Sequence, residues 1–279
     1  MLPDSVRFCS LVRQDHALVL RSVLSLELRF SVVGIITHRL KNCYVDRRMN
    51  TEKVTIGNAT LYCGDCIELL PEIPTSSVDA IVVDPPFFQG FNHNGSKSER
   101  ADLSIGKPFF NLFFGNLARV CKEERAVYVF CDWRTNGFFM DMMENYVPVK
   151  NSLVWTKHLG TGTFYQNSYE LILFHCNTTK RFPFSNVITG VKSFNGGAKT
   201  TNGAKVHPTQ KPVELIEKFI THSTQKGMTV LDPMMGSGTS GVACANMSRT
   251  FIGIEQQRKY FDIAVQRIEQ AHAERKERQ

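Results

Sequence analysis

The apolar run Val78–Val83 stops at Asp84-Pro85-Pro86-Phe87, and this arrest narrows the fold more than any other feature of the chain. With no regular polar alternation, the run reads as a strand buried on both faces, the habit of parallel sheets. Two successive prolines withhold the backbone N–H groups that a ladder needs, so the strand ends there. From Met49 onward, strand-like segments at 53–56, 60–62, 126–131, 152–155, 170–174, 229–231 and 250–254 are interspersed with stretches of helical spacing. The helical stretches fall at 109–122, 212–222, 238–246 and 258–274, with Pro212 in a first turn. The pattern predicts a doubly wound, mostly parallel α/β sheet that binds ligands at the carboxyl ends of its strands.

Residues 1–49 share none of this periodicity. They are expected to be a disordered extension or an over-called translation start with Met49 as the true first residue, a genuine accessory segment being the alternative, leaving 50–279 as the folded domain. The early apolar stretch 17–37 contains Arg21, Glu27 and Arg29, too many charges for a spanning helix, and no secretory signal precedes it. Eight cysteines in a chain able to bury a full core point to packing rather than staples, and to a reduced, cytoplasmic protein. Cys63 and Cys66 have no second pair at metal spacing, the histidines show none either, and no metal is expected.

A formal net charge of +7 suits a polyanionic partner. Two long stretches fit no regular element, 89–107 and 177–206, and loops of that length in a compact domain usually serve a function or stay disordered. Between Glu170 and Glu214 there is no acidic residue, whereas Lys180, Arg181, Lys192, Lys199, Lys205 and Lys211 all fall inside.

Three segments carry chemistry. In Val230-Leu231-Asp232-Pro233-Met234-Met235-Gly236-Ser237-Gly238-Thr239, a strand runs into a glycine turn and then a helix, which lets backbone N–H groups approach a ligand. The next strand ends in Glu255, where a carboxylate can bind ribose hydroxyls, and the pair favours an adenosyl cofactor. At Asp84-Pro85-Pro86-Phe87, the carboxylate and the Pro85 carbonyl can both accept from an exocyclic base amine, while Phe87 can stack on an extruded base. The bland alternative for the second segment is a plain strand terminator. His207-Pro208-Thr209-Gln210-Lys211-Pro212 reads on its own as a capped helix start.

Taken together and in this order, the segments resemble the beta-class N4-cytosine/N6-adenine DNA methyltransferases, with D-P-P-[YF], a target-recognition stretch, H-x-T-Q-K-P, and then the D-P-F-x-G-S-G-T loop. Gly64-Asp65-Cys66 resembles the family's opening, and the segment ending in Glu255, with Tyr260 and Arg267, resembles its close. The likeness covers about residues 53–270. It implies a Rossmann-like fold of the S-adenosylmethionine methyltransferase type, with a recognition insertion at about 177–206. It further implies that Asp65 meets the cofactor adenine, Glu255 the ribose, and the loop of Asp232, Pro233, Gly236, Ser237, Gly238 and Thr239 the methionine portion. Thr209 and Lys211 would line the cofactor pocket, and Asp84 would stand between cofactor and target amine. Departures are Phe87 for the commoner tyrosine, Met234 for phenylalanine, and a short recognition stretch. Family members that act on cytosine usually carry serine where Asp84 stands.

The resulting expectation is methyl transfer from S-adenosylmethionine to adenine N6 in duplex DNA at a short specific site. Asp84, Pro85, Pro86 and Phe87 would be catalytic, and Lys180, Arg181, Lys192, Lys199 and Lys205 would contact DNA. Cytosine N4, an RNA or protein-glutamine substrate, and a non-catalytic DNA-binding relic are the alternatives. The expected setting is the cytoplasm of a bacterium, or of a phage host; a cognate restriction endonuclease and a homodimer are left open.

Overall fold

The computed structural model describes residues 52–86, 106–157, 165–178, 182–192 and 210–278. The N-terminal 1–49 segment, the 17–37 stretch, Phe87, Lys180, Arg181, Lys199, Lys205, His207, Pro208 and Thr209 lie outside the described residues, as does nearly all of 89–107. Glu52–Gln279 forms one compact unit.

Its sheet begins with a hairpin of β1 (Glu52–Ile56) and β2 (Ala59–Cys63), turned by Gly57 at φ 56°. A glycine is required there, because the first turn position takes positive φ in such hairpins. Next come β3 (Val78–Val83), β4 (Cys121–Cys131), β5 (Asn151–Thr156), β6 (Tyr169–Cys176), β7 (Val187–Ile188), β8 (Thr229–Asp232) and β9 (Thr250–Glu255). The spatial order is β1-β2-β9-β8-β3-β4-β6-β5-β7. The run β2-β9-β8-β3-β4 is parallel throughout, with β6 antiparallel to both β4 and β5. The predicted α/β class with a mostly parallel sheet is what the chain adopts.

Helices cover both faces. On one side, α1 (Cys66–Leu69), α2 (Lys107–Val120) and α3 (Asn136–Glu144) pack on Val78, Ile81, Val83, Val127 and Val129. On the other, α4 (Val213–Ser223), α5 (Thr239–Met247) and α6 (Arg258–Glu277) pack on Ala80, Val82, Tyr128 and Phe130. From Ala80 to Val83 alternate positions thus serve opposite cores, with Val78 set off by a register shift on the side of Ile81 and Val83, which is why the strand lacks an exposed polar face.

Several boundaries differ from the sequence reading. α2 stops at Val120 rather than 122, because Cys121 pairs with Val78 and the Lys122 ammonium reaches buried Asp79 at 2.8 Å. Strand pairing and an ion pair outweigh two more residues of helical spacing. α4 starts at Val213, with Pro212 as its N-cap. The long 177–206 stretch contains β7, which pairs with β5 through Val154 and Val187. Helices α1 and α3 have no counterpart in the sequence pattern.

Candidate active site

All the parallel strands point their carboxyl ends to one edge of the sheet, and β6 begins there. Register places Ile81 of β3 beside Leu231 of β8, so Asp84 and Asp232 emerge from neighbouring strands. β9 and β2 lie next along this edge, ending in Glu255 and, two residues past β2, Asp65. Four carboxylates that are far apart in sequence therefore share one rim.

The glycine turn is locked from behind. Asp232, buried, accepts from the Met234 amide at 3.1 Å and from the Ser240 hydroxyl at 2.6 Å. Burial raises its carboxyl to about 7, against the pull of those two hydrogen bonds. Ser237 and Thr239 are also buried and meet Arg267 of α6, whose guanidinium donates to the Ser237 carbonyl and hydroxyl. Burial brings Arg267 down to about 10. Gly238, at φ 78°, sits where a Cβ would lie 2.8 Å from the Ala264 Cβ. Gly236, at φ 52°, faces the other way, and a Cβ there would meet nothing within 4 Å. Of the predicted loop residues, Asp232, Ser237, Gly238 and Thr239 thus build the turn, while Gly236 borders open space.

The Glu255 carboxylate spans the turn: Oε2 accepts from the Gly236 amide at 3.0 Å and Oε1 from the Gln257 amide at 2.7 Å. The Gly64 amide donates to the Glu255 carbonyl at 3.0 Å, which brings Asp65 alongside; Asp65 itself caps α1 by accepting from the Ile67 amide at 2.8 Å. An open glycine turn with a strand-end carboxylate on one side and Asp65 beyond it suits an adenosyl ligand bearing a ribose diol and a cationic sulfur.

Asp84 is held by a residue 127 positions away. Lys211 Nζ donates to Asp84 Oδ2 at 2.6 Å, so the D-P-P segment and the H-P-T-Q-K-P segment meet at one ion pair. The Lys211 side chain is 8% exposed, and its ammonium also lies 3.2 Å from Glu170 Oε2 and 4.9 Å from the Phe130 ring centre. Burial alone would lower the Lys211 ammonium, but Asp84 and Glu170 outweigh it and hold it above the ordinary lysine range. The Asp84 side chain keeps 27% of its surface. Burial pushes its carboxyl up, while Lys211 pulls the other way. Its second oxygen, Oδ1, is shielded from solvent and meets no hydrogen-bond donor among the described residues. Pro85 is buried and Pro86 exposed.

A sequence profile for DNA methylases of the N6/N4 type matches residues 78–266. The chain belongs to that family. It is 29% identical over 247 residues to the type II methyltransferase M.HinfI of Haemophilus influenzae, covering 75% of this chain and 68% of the relative. M.HpaI of Haemophilus parainfluenzae is 27% identical over 232 residues, covering 75% and 74%. Among solved structures, an M1.HpyAVI–SAM complex is 27% identical with a TM-score of 0.59, over 75% of this chain and 98% of that one. The cytosine-N4-specific PvuII methyltransferase, 19% identical, shares the fold with a TM-score of 0.63 over 80% of this chain and 93% of that one. The protein is a DNA amino-methyltransferase.

Residues that the motifs do not reveal gather at the same edge. Glu170 is the second residue of β6 and Lys157 follows β5; their side chains pair with each other. Just past β4, Asp132 organises a turn, accepting from the Arg134 amide at 2.9 Å, the Thr135 amide at 2.9 Å and the Arg134 guanidinium at 2.6 Å. The turn presents Trp133 60% exposed at the same edge. Glu170 has one sequence signal, as the last acid before the basic window; Trp133 and Lys157 have none. Of the predicted DNA contacts, Lys192 alone is described, exposed and next to buried Val191. Cys66 of the C-x-x-C pair is buried, and burial pushes its thiol to about 12.

Proposed function

We propose that this DNA methylase transfers methyl groups to adenine N6 in duplex DNA at a short specific site, and that Asp84 is the residue on which the chemistry turns. The observation that carries this reading is the shielded Asp84 Oδ1 with its partner oxygen already held by Lys211. A buried acceptor left without a donor is unfavourable by roughly 1–3 kcal/mol, unless a substrate group completes it. S-adenosylmethionine supplies, when bound, an electrophilic methyl group on a sulfonium sulfur.

The chain's own residues then do the following. Glu255 and Asp65 receive the ribose and adenine, and the open face at Gly236 admits the methionine portion. Asp84 Oδ1 and the Pro85 carbonyl accept hydrogen bonds from the exocyclic amine, which draws the nitrogen's lone pair out of conjugation with the ring. The Asp84 charge favours the positive charge that develops on that nitrogen, and Oδ1 takes the proton shed once the N–C bond has formed. Transfer is a direct displacement, so alignment supplies most of the acceleration and no protein nucleophile is needed. The target base must leave the stack to reach this edge, where Trp133 offers an aromatic face, and Phe87 is assigned to stack on it from its place in the D-P-P-F motif. Lys180, Arg181, Lys192, Lys199 and Lys205 supply phosphate contacts.

Adenine is favoured because an aspartate stands at position 84. The test is nucleoside analysis of unmethylated DNA after incubation with the purified protein and S-adenosylmethionine. N6-methyladenine is expected. N4-methylcytosine would overturn the choice of base, and absence of any methylated base would overturn the catalytic reading.

A further inference from the structure

Lys211 serves two carboxylates, and the second of them has a cation of its own. We propose that Glu170 and Lys157 are positioning residues that, acting through Lys211, set the charge available on Asp84, so that the four side chains work as one balanced unit. This rests on the reading of Asp84 as the amine's acceptor.

The four groups converge from four places: Asp84 after β3, Lys157 after β5, Glu170 in β6 and Lys211 ahead of α4. The β5–β6 ladder fixes two of them. Trp155 pairs with Glu170, and the Lys157 amide donates to the Ser168 carbonyl at 2.6 Å, so Lys157 and Glu170 project from one face as diagonal neighbours. Their side chains bond directly, and Glu170 Oε2 turns to Lys211 at 3.2 Å. Burial by itself would raise the Glu170 carboxyl; Lys211 and Lys157 outweigh it and hold it below the ordinary glutamate range. Two carboxylates and two ammoniums sum to zero.

That sum has a chemical consequence. Two ammoniums facing Asp84 with no second carboxylate between them would over-neutralise it and leave it a poor proton acceptor. By sharing Lys211, Glu170 returns negative charge to Asp84; Lys157 in turn prevents the site from carrying an excess. Two other titratable groups face Asp84, Asp232 from β8 and the Cys131 thiol from β4, and burial keeps that thiol neutral by raising it to about 12. During transfer the N–C bond forms as the S–C bond breaks with its pair left on sulfur, and the proton then passes from nitrogen to Asp84 Oδ1. Water takes the proton from Oδ1 once the methylated base withdraws.

The test uses near-isosteric variants that change one charge each. Glu170→Gln leaves the unit at +1, which makes Asp84 harder to protonate and a weaker acceptor. Its kcat falls about ten- to a hundredfold, the effect of one uncompensated charge at this range with an effective dielectric of about 20, and the acid limb of the pH–rate profile moves to lower pH. Lys157→Met leaves the unit at −1 and moves that limb to higher pH. The double variant restores the sum, brings the limb back and recovers most of kcat. A carbon-13 NMR titration of the Asp84 carboxyl in ligand-free protein, assigned through Asp84→Asn, should follow the same order of displacement without any turnover. Single variants whose limb and carboxyl titration stay at the wild-type position would overturn the proposal, as would a double variant no better than the worse single one. A purely structural role would lower the melting temperature of all three without opposite displacements. Should Glu170→Gln fail to fold, the sign of the Lys157→Met displacement decides alone. Full turnover by Asp84→Asn would instead strike at the acceptor reading, and the NMR titration would still report the coupling.

Discussion

Asp84 and Asp232 end adjacent strands, yet their surroundings assign them different work. Asp84 keeps part of its surface and one oxygen that meets no donor among the described residues, whereas Asp232 is sealed in and has both oxygens engaged by its own turn. Asp84→Asn should therefore lower kcat by about 10²- to 10⁴-fold, the usual worth of a positioned proton acceptor. S-adenosylmethionine affinity should stay within about tenfold, since the glycine turn is untouched. Calorimetric binding beside a steady-state assay checks both; normal turnover would remove Asp84 from the chemistry. Asp232 makes a stability prediction instead. Its folded-state carboxyl, at about 7, lies above the unfolded value, so the folded protein binds the extra proton and is favoured at low pH. That contribution fades as pH rises toward 7. Asp232→Asn lacks it, so the melting temperature of the variant should gain on wild type between pH 4 and 7, and parallel curves would refute the assignment. Asp84, Asp232 and Lys211 are legible in the sequence because each lies in a contiguous segment with its own backbone logic. Glu170 and Lys157 stay hidden there because their partnership exists only across an antiparallel ladder and a contact with a residue 41 positions beyond Glu170.

Among the elements, those with strong periodicity or a turn signal are readable, and those defined by a neighbour are not. α2 announces itself through Phe110, Phe113, Phe114, Leu117 and Val120, all buried on one stripe. α3 is short and apolar on more than one side, with Phe138 and Met140 beside buried Phe139, Met142 and Met143, so no clear stripe emerges, and β7 is two residues long, borrowing its hydrogen bonds from β5. Neither has enough pattern to stand out. The packing of α5 against α6 makes a sharp test of how the turn is held. Gly238→Ala would place a Cβ 2.8 Å from Ala264 and force a side chain into positive φ, so it should destabilise by about 1–3 kcal/mol. Gly115, mid-way along α2, offers the contrast: its Cβ would touch the Tyr146 ring at 3.5 Å, an ordinary approach. Gly115→Ala should stabilise by about 0.5–1 kcal/mol through helix propensity. Urea unfolding of the two variants ranks them, and a neutral Gly238→Ala would mean that the turn yields more readily than its packing implies.

Over the whole molecule, the carboxyl edge of the sheet divides by character. Its β2-β9-β8-β3 half presents Asp65, Glu255 and Asp84 around the turn that Asp232 locks from within, a rim suited to a cationic, hydroxyl-rich ligand. Its β4-β6-β5-β7 half presents Trp133, Arg134, Lys157 and exposed Tyr169, and leads into the acid-free window with Lys192. This division suits a cofactor on one side and a polyanion on the other, with Asp84 at the seam, and it separates two kinds of DNA recognition. Lys192→Ala should weaken DNA binding at every sequence and flatten the plot of log affinity against log salt by about 0.9, the slope carried by one neutralised phosphate. Trp133→Ala should weaken binding by removing a stacking face, about 1–3 kcal/mol, and leave that slope where it was, because an indole releases no counterions. Fluorescence anisotropy with a labelled duplex between about 50 and 200 mM salt distinguishes them. Cofactor affinity should be unchanged in both variants, since each residue sits on the far side of Asp84 from the glycine turn. A Trp133→Ala protein that binds DNA normally, or a Lys192→Ala protein with an unaltered slope, would remove that residue from the nucleic-acid face.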